Sequence, residues 1–191
     1  LTDELLVSKI IEGDQDAFKQ LVEMHQDKIY SICLGYIRNE EDAEDLAQEV
    51  FMKVFRSIKK FNAESALSTW VYRIAVNKSL EQLRRNKTNK RFGFLSSIFG
   101  NENAFEKQLN HFEHPGVKLE NKERANILLK HMEKLPEKQR TVFQLHKVDN
   151  MSYQEISQVL HTSLSSVESL MFRAKKNLQK SLRQFYENDK S

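Results

Sequence analysis

The run Ser152-Tyr153-Gln154-Glu155-Ile156-Ser157-Gln158-Val159-Leu160-His161-Thr162-Ser163-Leu164-Ser165-Ser166-Val167-Glu168-Ser169-Leu170-Met171-Phe172-Arg173-Ala174-Lys175-Lys176 reads as a short helix, a turn and a long helix. Ser152 is a natural N-cap, and Glu155 three residues on completes a capping box. Ile156, Val159 and Leu160 form the inner face of the first helix, and His161-Thr162-Ser163 makes the turn. Leu164, Val167, Met171, Ala174 and Leu178 then recur at spacings of three and four, the period of an α-helix with one buried face. Ser165, Ser166, Glu168, Ser169, Phe172, Arg173 and Lys176 must therefore face outward. On a helix-turn-helix, outward residues near the start of the second helix reach base edges in the major groove, and basic ones beyond hold phosphates. An αα-hairpin used only for packing is the plainer alternative. The small polar outward residues and the cluster Arg173, Lys175, Lys176 and Lys180 weigh against it.

Working upstream, helices are expected at about 120–134, 137–148, 152–160 and 163–186, with Pro136 suited to a first helical turn. From 86 to 118 the periodicity fails. That segment holds Gly93, Gly100, Pro115 and Gly116 with many Asn and Ser residues, and reads as a flexible linker. Its Phe92, Phe94, Leu95, Ile98, Phe99 and Phe105 are unusually apolar for a passive tether, which leads us to expect docking in a partner's groove.

Before the linker, four more helices are legible. Leu5, Leu6, Ile10 and Ile11 form one apolar face, which Gly13-Asp14 interrupts. A long helix from Asp14 or Gln15 carries Phe18, Leu21, Val22, Ile29, Ile32, Cys33, Tyr36 and Ile37, and Asn39 ends it. A third, about 41–57, has Ala43, Leu46, Ala47, Val50, Phe51, Val54 and Phe55 inside. A fourth runs from about 67 to 85, with 59–65 as an exposed loop before it. The expected fold is thus all-α: two small helical domains, 1–85 and 119–191, joined by the linker 86–118.

Composition agrees. With 191 residues, 39% hydrophobic and 30% charged, the chain suits one medium or two small helix-rich domains, and 5 Gly with 2 Pro argue against a tightly turned sheet sandwich. No signal peptide and no membrane-spanning apolar run is legible, and the one cysteine, Cys33, reads as a buried thiol; a cytoplasmic protein without membrane insertion is expected. The net charge of +3 hides a segregation: −6 over residues 1–69, +6 over 70–91 and +4 over 119–191. Basic segments suit phosphates, and the acidic part suits a protein surface.

Two further motifs carry function. From Glu40 to Glu49 there are six carboxylates and no basic residue, with Asp42, Asp45 and Glu49 on one helix side. Such a run is either a solvated face complementing the helix dipole or a docking surface for a basic partner. The second is Phe61-Asn62-Ala63-Glu64-Ser65-Ala66-Leu67-Ser68-Thr69-Trp70-Val71-Tyr72-Arg73-Ile74-Ala75-Val76-Asn77, a polar loop opening into an aromatic helix that turns basic through Lys78, Arg84 and Arg85. Opening a duplex and holding one strand needs that combination, because aromatic faces replace base stacking while cations track the backbone. Trp70 reads better as a core residue wedged beneath the loop than as a stacking surface, with Val71 and Ile74 as core. Asn77 either meets DNA or satisfies loop backbone.

The stretch 61–77 resembles the promoter-melting segment of bacterial sigma factors of the extracytoplasmic-function group. Leu135-Pro136-Glu137-Lys138-Gln139-Arg140-Thr141-Val142-Phe143 with Met151-Ser152-Tyr153-Gln154-Glu155-Ile156 resembles the start of sigma region 4, and Asp42-Ala43-Glu44-Asp45-Leu46-Ala47-Gln48-Glu49-Val50-Phe51 resembles the region 2 surface that docks on polymerase. The resemblance covers about residues 2 to 186. It implies that Asp42, Asp45, Gln48 and Glu49 bind the clamp helices of the RNA polymerase largest subunit, with the polymerase flap as a second contact. It implies that Phe61, Asn62, Ala63, Ser65, Ser68, Arg73, Asn77, Lys78, Arg84 and Arg85 meet the minus-10 element, the loop capturing a flipped base of the non-template strand. The outward residues 165–176 named above would read the minus-35 element. Promoter DNA and an anti-sigma factor are the other implied partners. One departure stands out: Glu168 and Leu170 occupy positions that are often basic in that family.

No Walker-type loop, nucleophile elbow or zinc-protease motif is present, so no enzyme, cofactor or small-molecule substrate is expected. His111 and His114 have a possible metal spacing but no nearby Cys or third His, and read as surface residues. A stand-alone helix-turn-helix regulator is the rival reading, with a nucleic-acid-processing enzyme behind it.

Overall fold

The computed structural model describes residues 2–97 and 122–188, the first stretch belonging to one compact unit and the second to another. All regular elements among the described residues are helical: α1 (Asp3–Ile11), α2 (Gln15–Ile37), α3 (Glu40–Ser57), a 3-10 turn (Ile58–Lys60) and α4 (Leu67–Ser97) in the first unit, then α5 (Lys122–Glu133), α6 (Glu137–Lys147), α7 (Tyr153–Val159) and α8 (Leu164–Asn188) in the second. The all-α class expected from periodicity is what is found.

Most helix starts are written locally. Thr2 Oγ1 accepts from the Leu5 N–H, Asp14 Oδ1 from Ala17 and Asn39 Oδ1 from Asp42, each supplying an acceptor to an otherwise unsatisfied first-turn donor. The expected capping box is present: Ser152 Oγ accepts from the Glu155 N–H at 3.2 Å, and Glu155 Oε2 accepts from the Ser152 N–H at 2.7 Å. Pro136 precedes α6 by one residue rather than occupying its first turn.

In the first unit α2 packs on α1, α3 and α4, burying Leu21, Ile29, Ile32, Leu34, Val50, Val54, Leu67 and Val71. Cys33 is buried as expected, its sulfur 3.8 Å from the Ser79 hydroxyl. Three inner-face expectations need correction. In α1 the buried set is Leu6, Val7 and Ile10, while Leu5 and Ile11 are 48% and 42% exposed, because Val7 centres the stripe between its neighbours. In α3 the stripe of Ala43, Leu46, Ala47, Val50 and Val54 leaves Phe51 half-buried and Phe55 at its edge, half exposed and set edge-to-face on Phe18 at 4.9 Å. Ile74 is half-buried rather than core.

Helix α4 runs to Ser97, twelve residues past the expected end at Arg85. No proline interrupts it, and its polar side chains are tied at helical spacing: Arg85 Nη2 to Glu81 Oε1 at 2.9 Å, Gln82 Nε2 to Asn86 Oδ1 at 3.2 Å, and Thr88 Oγ1 to the Arg84 carbonyl at 3.0 Å. Such pairs carry the helix past Arg85 as far as Thr88 without an apolar stripe. Residues 98–118, with the linker's Ile98, Phe99 and Phe105 and with His111 and His114, lie outside the described residues.

In the second unit α8 packs on α5, α6 and α7 through Val167, Met171, Ala174 and Leu178. Leu164, expected on that face, is 41% exposed: it sits in the first turn, beyond the reach of the helices it was expected to cover. Leu160 is half-buried. His131 Nδ1 lies 2.6 Å from Ser181 Oγ and its ring meets Phe185 edge-on, fastening α5 to the later turns of α8.

Candidate nucleic-acid interface

The helix-turn-helix is built from α7, the turn 160–163 and α8. His161 takes a left-handed conformation (φ 48°), and the Thr162 N–H donates to the Ser157 carbonyl at 3.0 Å, so the chain reverses without a glycine. Ser163 Oγ accepts from the Ser166 N–H at 3.2 Å and starts α8. Ser165, Glu168, Phe172, Arg173 and Lys176 are exposed, and Ser166 and Ser169 are half-buried. Phe172 is 69% exposed, an apolar ring held in water in the middle of a polar face. Arg173 Nη2 donates to Ser169 Oγ at 2.9 Å, which orients the guanidinium along the outward side. Among the described residues Glu168 forms no ion pair with Lys175 or Lys176.

The loop before α4 is Phe61–Ala66, since Ile58–Lys60 forms the 3-10 turn. Asn62, Ala63 and Glu64 are exposed and Ser65 is half-buried. Asn62 Oδ1 accepts from the Glu64 N–H at 3.4 Å, and Ala63 between them has φ 57°, a left-handed conformation that favours glycine. Phe61, the first residue of the loop, and Trp70 meet edge-to-face, centroids 5.8 Å apart; Trp70, expected in the core, is half-buried instead. Where α4 begins, the residue before it is Ala66, which has no side-chain acceptor. The Leu67 N–H donates instead to Asp3 Oδ2 at 2.8 Å, a carboxylate from α1. No local sequence signal marks that bond, because its partners are 64 residues apart.

Along α4, Trp70, Arg73, Asn77 and Arg84 share one face at spacings of three, four and seven. Asn77, Arg84 and Arg85 are exposed; Ser68, Arg73 and Lys78 are half-buried. Burial pulls the Arg73 guanidinium below its ordinary pKa while the loop's Glu64 pulls the other way, and it stays charged. At about 1.5 Å per residue Arg84 and Arg85 lie roughly 25 Å along the helix from Leu67, so they serve different phosphates from those near the loop. Lys78 lies on the flank toward α3, where its Nζ meets Glu49 Oε2 at 3.0 Å.

On α3 Asp42, Asp45, Gln48 and Glu49 are all exposed, and the backbone places Met52, also exposed, in line with Asp45 and Gln48. Sequence reasoning passed over Met52 although its spacing of seven from Asp45 marks it.

Comparison with known proteins places these surfaces in a family. Residues 21–88 match sigma-70 region 2, and residues 125–178 match sigma-70 region 4. The ECF RNA polymerase sigma factor SigW of Bacillus subtilis (strain 168) is 32% identical over 181 residues, covering 93% of this chain and 95% of that one. The ECF RNA polymerase sigma-E factor of Escherichia coli (strain K12) is 32% identical over 175 residues, covering 92% and 91%. The fold recurs in CnrH, solved with the cytosolic domain of CnrY (TM-score 0.66, 22% identity, covering 95% and 97%), and in the sigma factor RpoE of Bartonella quintana, solved with the anti-sigma factor NepR (TM-score 0.63, 20% identity, covering 87% and 96%). The chain belongs to the extracytoplasmic-function group of sigma-70 RNA polymerase sigma factors. Its work is accordingly to bind RNA polymerase core and direct it to promoters for initiation, which disfavours the stand-alone regulator. No helix among the described residues is long and apolar enough to cross a membrane.

Proposed function

We propose that this sigma factor divides its work between the surfaces described above. Asp42, Asp45, Gln48 and Glu49 of α3 dock on the clamp helices of the polymerase largest subunit, with Met52 adding apolar contact. Asn62–Ser65 receive a base flipped from the non-template strand of the minus-10 element, over the Phe61–Trp70 platform. Arg73, Asn77, Lys78, Arg84 and Arg85 follow the phosphates along α4. The outward face of α8 reads the minus-35 element. The chain acts in the cytoplasm as a recognition subunit without catalysis of its own. An anti-sigma protein is the further partner that family membership implies.

The observation that carries the division is the loop itself. Its exposed residues turn through a left-handed Ala63 next to Phe61, whose ring meets Trp70, and that conformation is costly for a mere connector. Transcription by purified core polymerase on a promoter library, with and without this chain, tests the reading. Promoter-selective transcripts that depend on the chain are expected. Tight operator binding without polymerase, and no transcript, would favour the stand-alone regulator.

A further inference from the structure

We propose that Asp3 is a positioning residue for the melting loop: its carboxylate accepts from the first N–H of α4, for which no local side chain supplies an acceptor, and it thereby fixes where the loop ends. This rests on the base-capturing role of the loop proposed above. Helices α1, α2, α3 and α7 each take an acceptor from a neighbouring side chain, from Thr2, Asp14, Asn39 and Ser152. Helix α4 follows Ala66, and the acceptor for its first N–H arrives from α1 at 2.8 Å. The Trp70 N–H donates to the Ala66 carbonyl at 3.2 Å, so α4 is wound from its first residue. One turn further, the Tyr72 hydroxyl lies 3.2 Å from His25 Nδ1 of α2. The start of α4 is thus pinned from two sides by elements remote in sequence, and Asp3 lies outside residues 21–88 that match region 2.

Geometry connects this pin to the loop. Leu67 ends the span from Phe61, whose ring meets Trp70 three residues into α4. With the Leu67 N–H unsatisfied, the first turn frays, and Ala63 has no fixed end against which to hold its left-handed conformation. The loop then samples several shapes and must be ordered when the base arrives, which lowers the population ready for capture. Asp3 touches no nucleotide in this account; it acts through Leu67.

The test uses the full chain and three readouts: amide exchange of Leu67, emission of Trp70 (the only tryptophan), and permanganate detection of opening on a promoter selected from a random library by holoenzyme. Asp3→Ala should speed Leu67 exchange, shift Trp70 emission and slow opening about five-fold, the size that loss of one cap produces in an equilibrium, with affinity for core unchanged. Asp3→Asn, which keeps a cap acceptor, should behave as the unaltered chain. Glu4→Ala, which removes a charge from the same turn of α1 without touching the cap, should do so too. Ala66→Asp supplies a local acceptor to a later N–H of the same turn, so in Asp3→Ala it should restore Trp70 emission and opening while Leu67 exchange stays fast, and this double variant decides the matter if Asp3→Ala alone folds poorly. Unchanged Leu67 and Trp70 signals in Asp3→Ala overturn the proposal, as does failure of Ala66→Asp to restore opening. Normal opening after Gly-Ser replacement of Asn62–Ser65 would defeat the base-capture reading instead, while the Leu67 and Trp70 signals still decide on Asp3.

Discussion

Lys78 Nζ lies 3.0 Å from Glu49 Oε2, so a cation expected on DNA and a carboxylate expected on polymerase neutralise each other across α3 and α4. The Glu49 side chain is 58% exposed and that of Lys78 25%, so the pair is screened and contributes at most about 1 kcal/mol to folding. Its larger effect is on binding, since each partner must trade this contact for a new one. Glu49→Gln should weaken core binding while freeing Lys78 for phosphate, raising the affinity of the chain for single-stranded DNA by about two- to five-fold at low salt. Asp45→Lys with Glu49→Lys should weaken core binding strongly at unchanged helical content. Unaltered affinity of the folded double variant for core would remove the docking role from this face.

The loop prediction separates binding from opening. Replacing Asn62–Ser65 with Gly-Ser residues of equal number should leave closed-complex formation intact and reduce strand separation, because on the proposed reading only an extruded base meets this loop. Permanganate reactivity of the minus-10 thymines is the measurement, and normal reactivity would make the loop a connector.

On α8, Glu168 cannot pair with phosphate but can accept from a cytosine amino group, while exposed Phe172 suits a thymine methyl. Glu168→Ala should relax base preference at one minus-35 position. Lys176→Ala should weaken all sequences alike and flatten the salt dependence. Binding to a library randomised over the minus-35 element distinguishes the two. A uniform gain in affinity for Glu168→Ala would make the residue a general electrostatic brake.

Two buried imidazoles set a pH dependence. Burial pushes His25 below its ordinary value, with Asp3 pulling weakly the other way, and pushes His131 down with help from Lys134. The unfolded chain therefore binds more protons than the folded one in the range just below about pH 6.5. Stability contributed by the neutral rings is complete above that value and declines as pH falls through the lowered folded values. The melting temperature of both units should fall as the pH drops below about 6.5. His131→Gln should flatten the slope for the second unit alone; an unchanged slope there would assign it to other groups.

What could be read in advance follows from how local each cause is. The spacing of Val167, Met171, Ala174 and Leu178 and the Ser152–Glu155 box involve residues within a few turns, and both appear as read. Exposure of the outward α8 residues follows from the same period. Leu5, Ile11, Phe55 and Leu164 were misassigned because apolarity alone does not say where a packed stripe ends. The length of α4 is not legible because the turn just past Arg85 is tied by polar side chains, Gln82 to Asn86 and Thr88 to the Arg84 carbonyl, rather than by an apolar stripe. The Asp3–Leu67 and Glu49–Lys78 contacts each join distant segments, and only the folded chain brings their partners together.

Cys33, the single cysteine, sits fully buried between α2 and α4 in the first unit. A thiol reagent added to the folded chain therefore meets no surface target, and its reaction waits for that core to open. Labelling becomes a clock for one unit: the rate counts excursions of the first unit, while the second, which carries no cysteine, stays silent. Any ligand that tightens the first unit should slow this clock by the factor by which it suppresses opening. Partner binding could then be followed without a probe ever being attached to either binding surface.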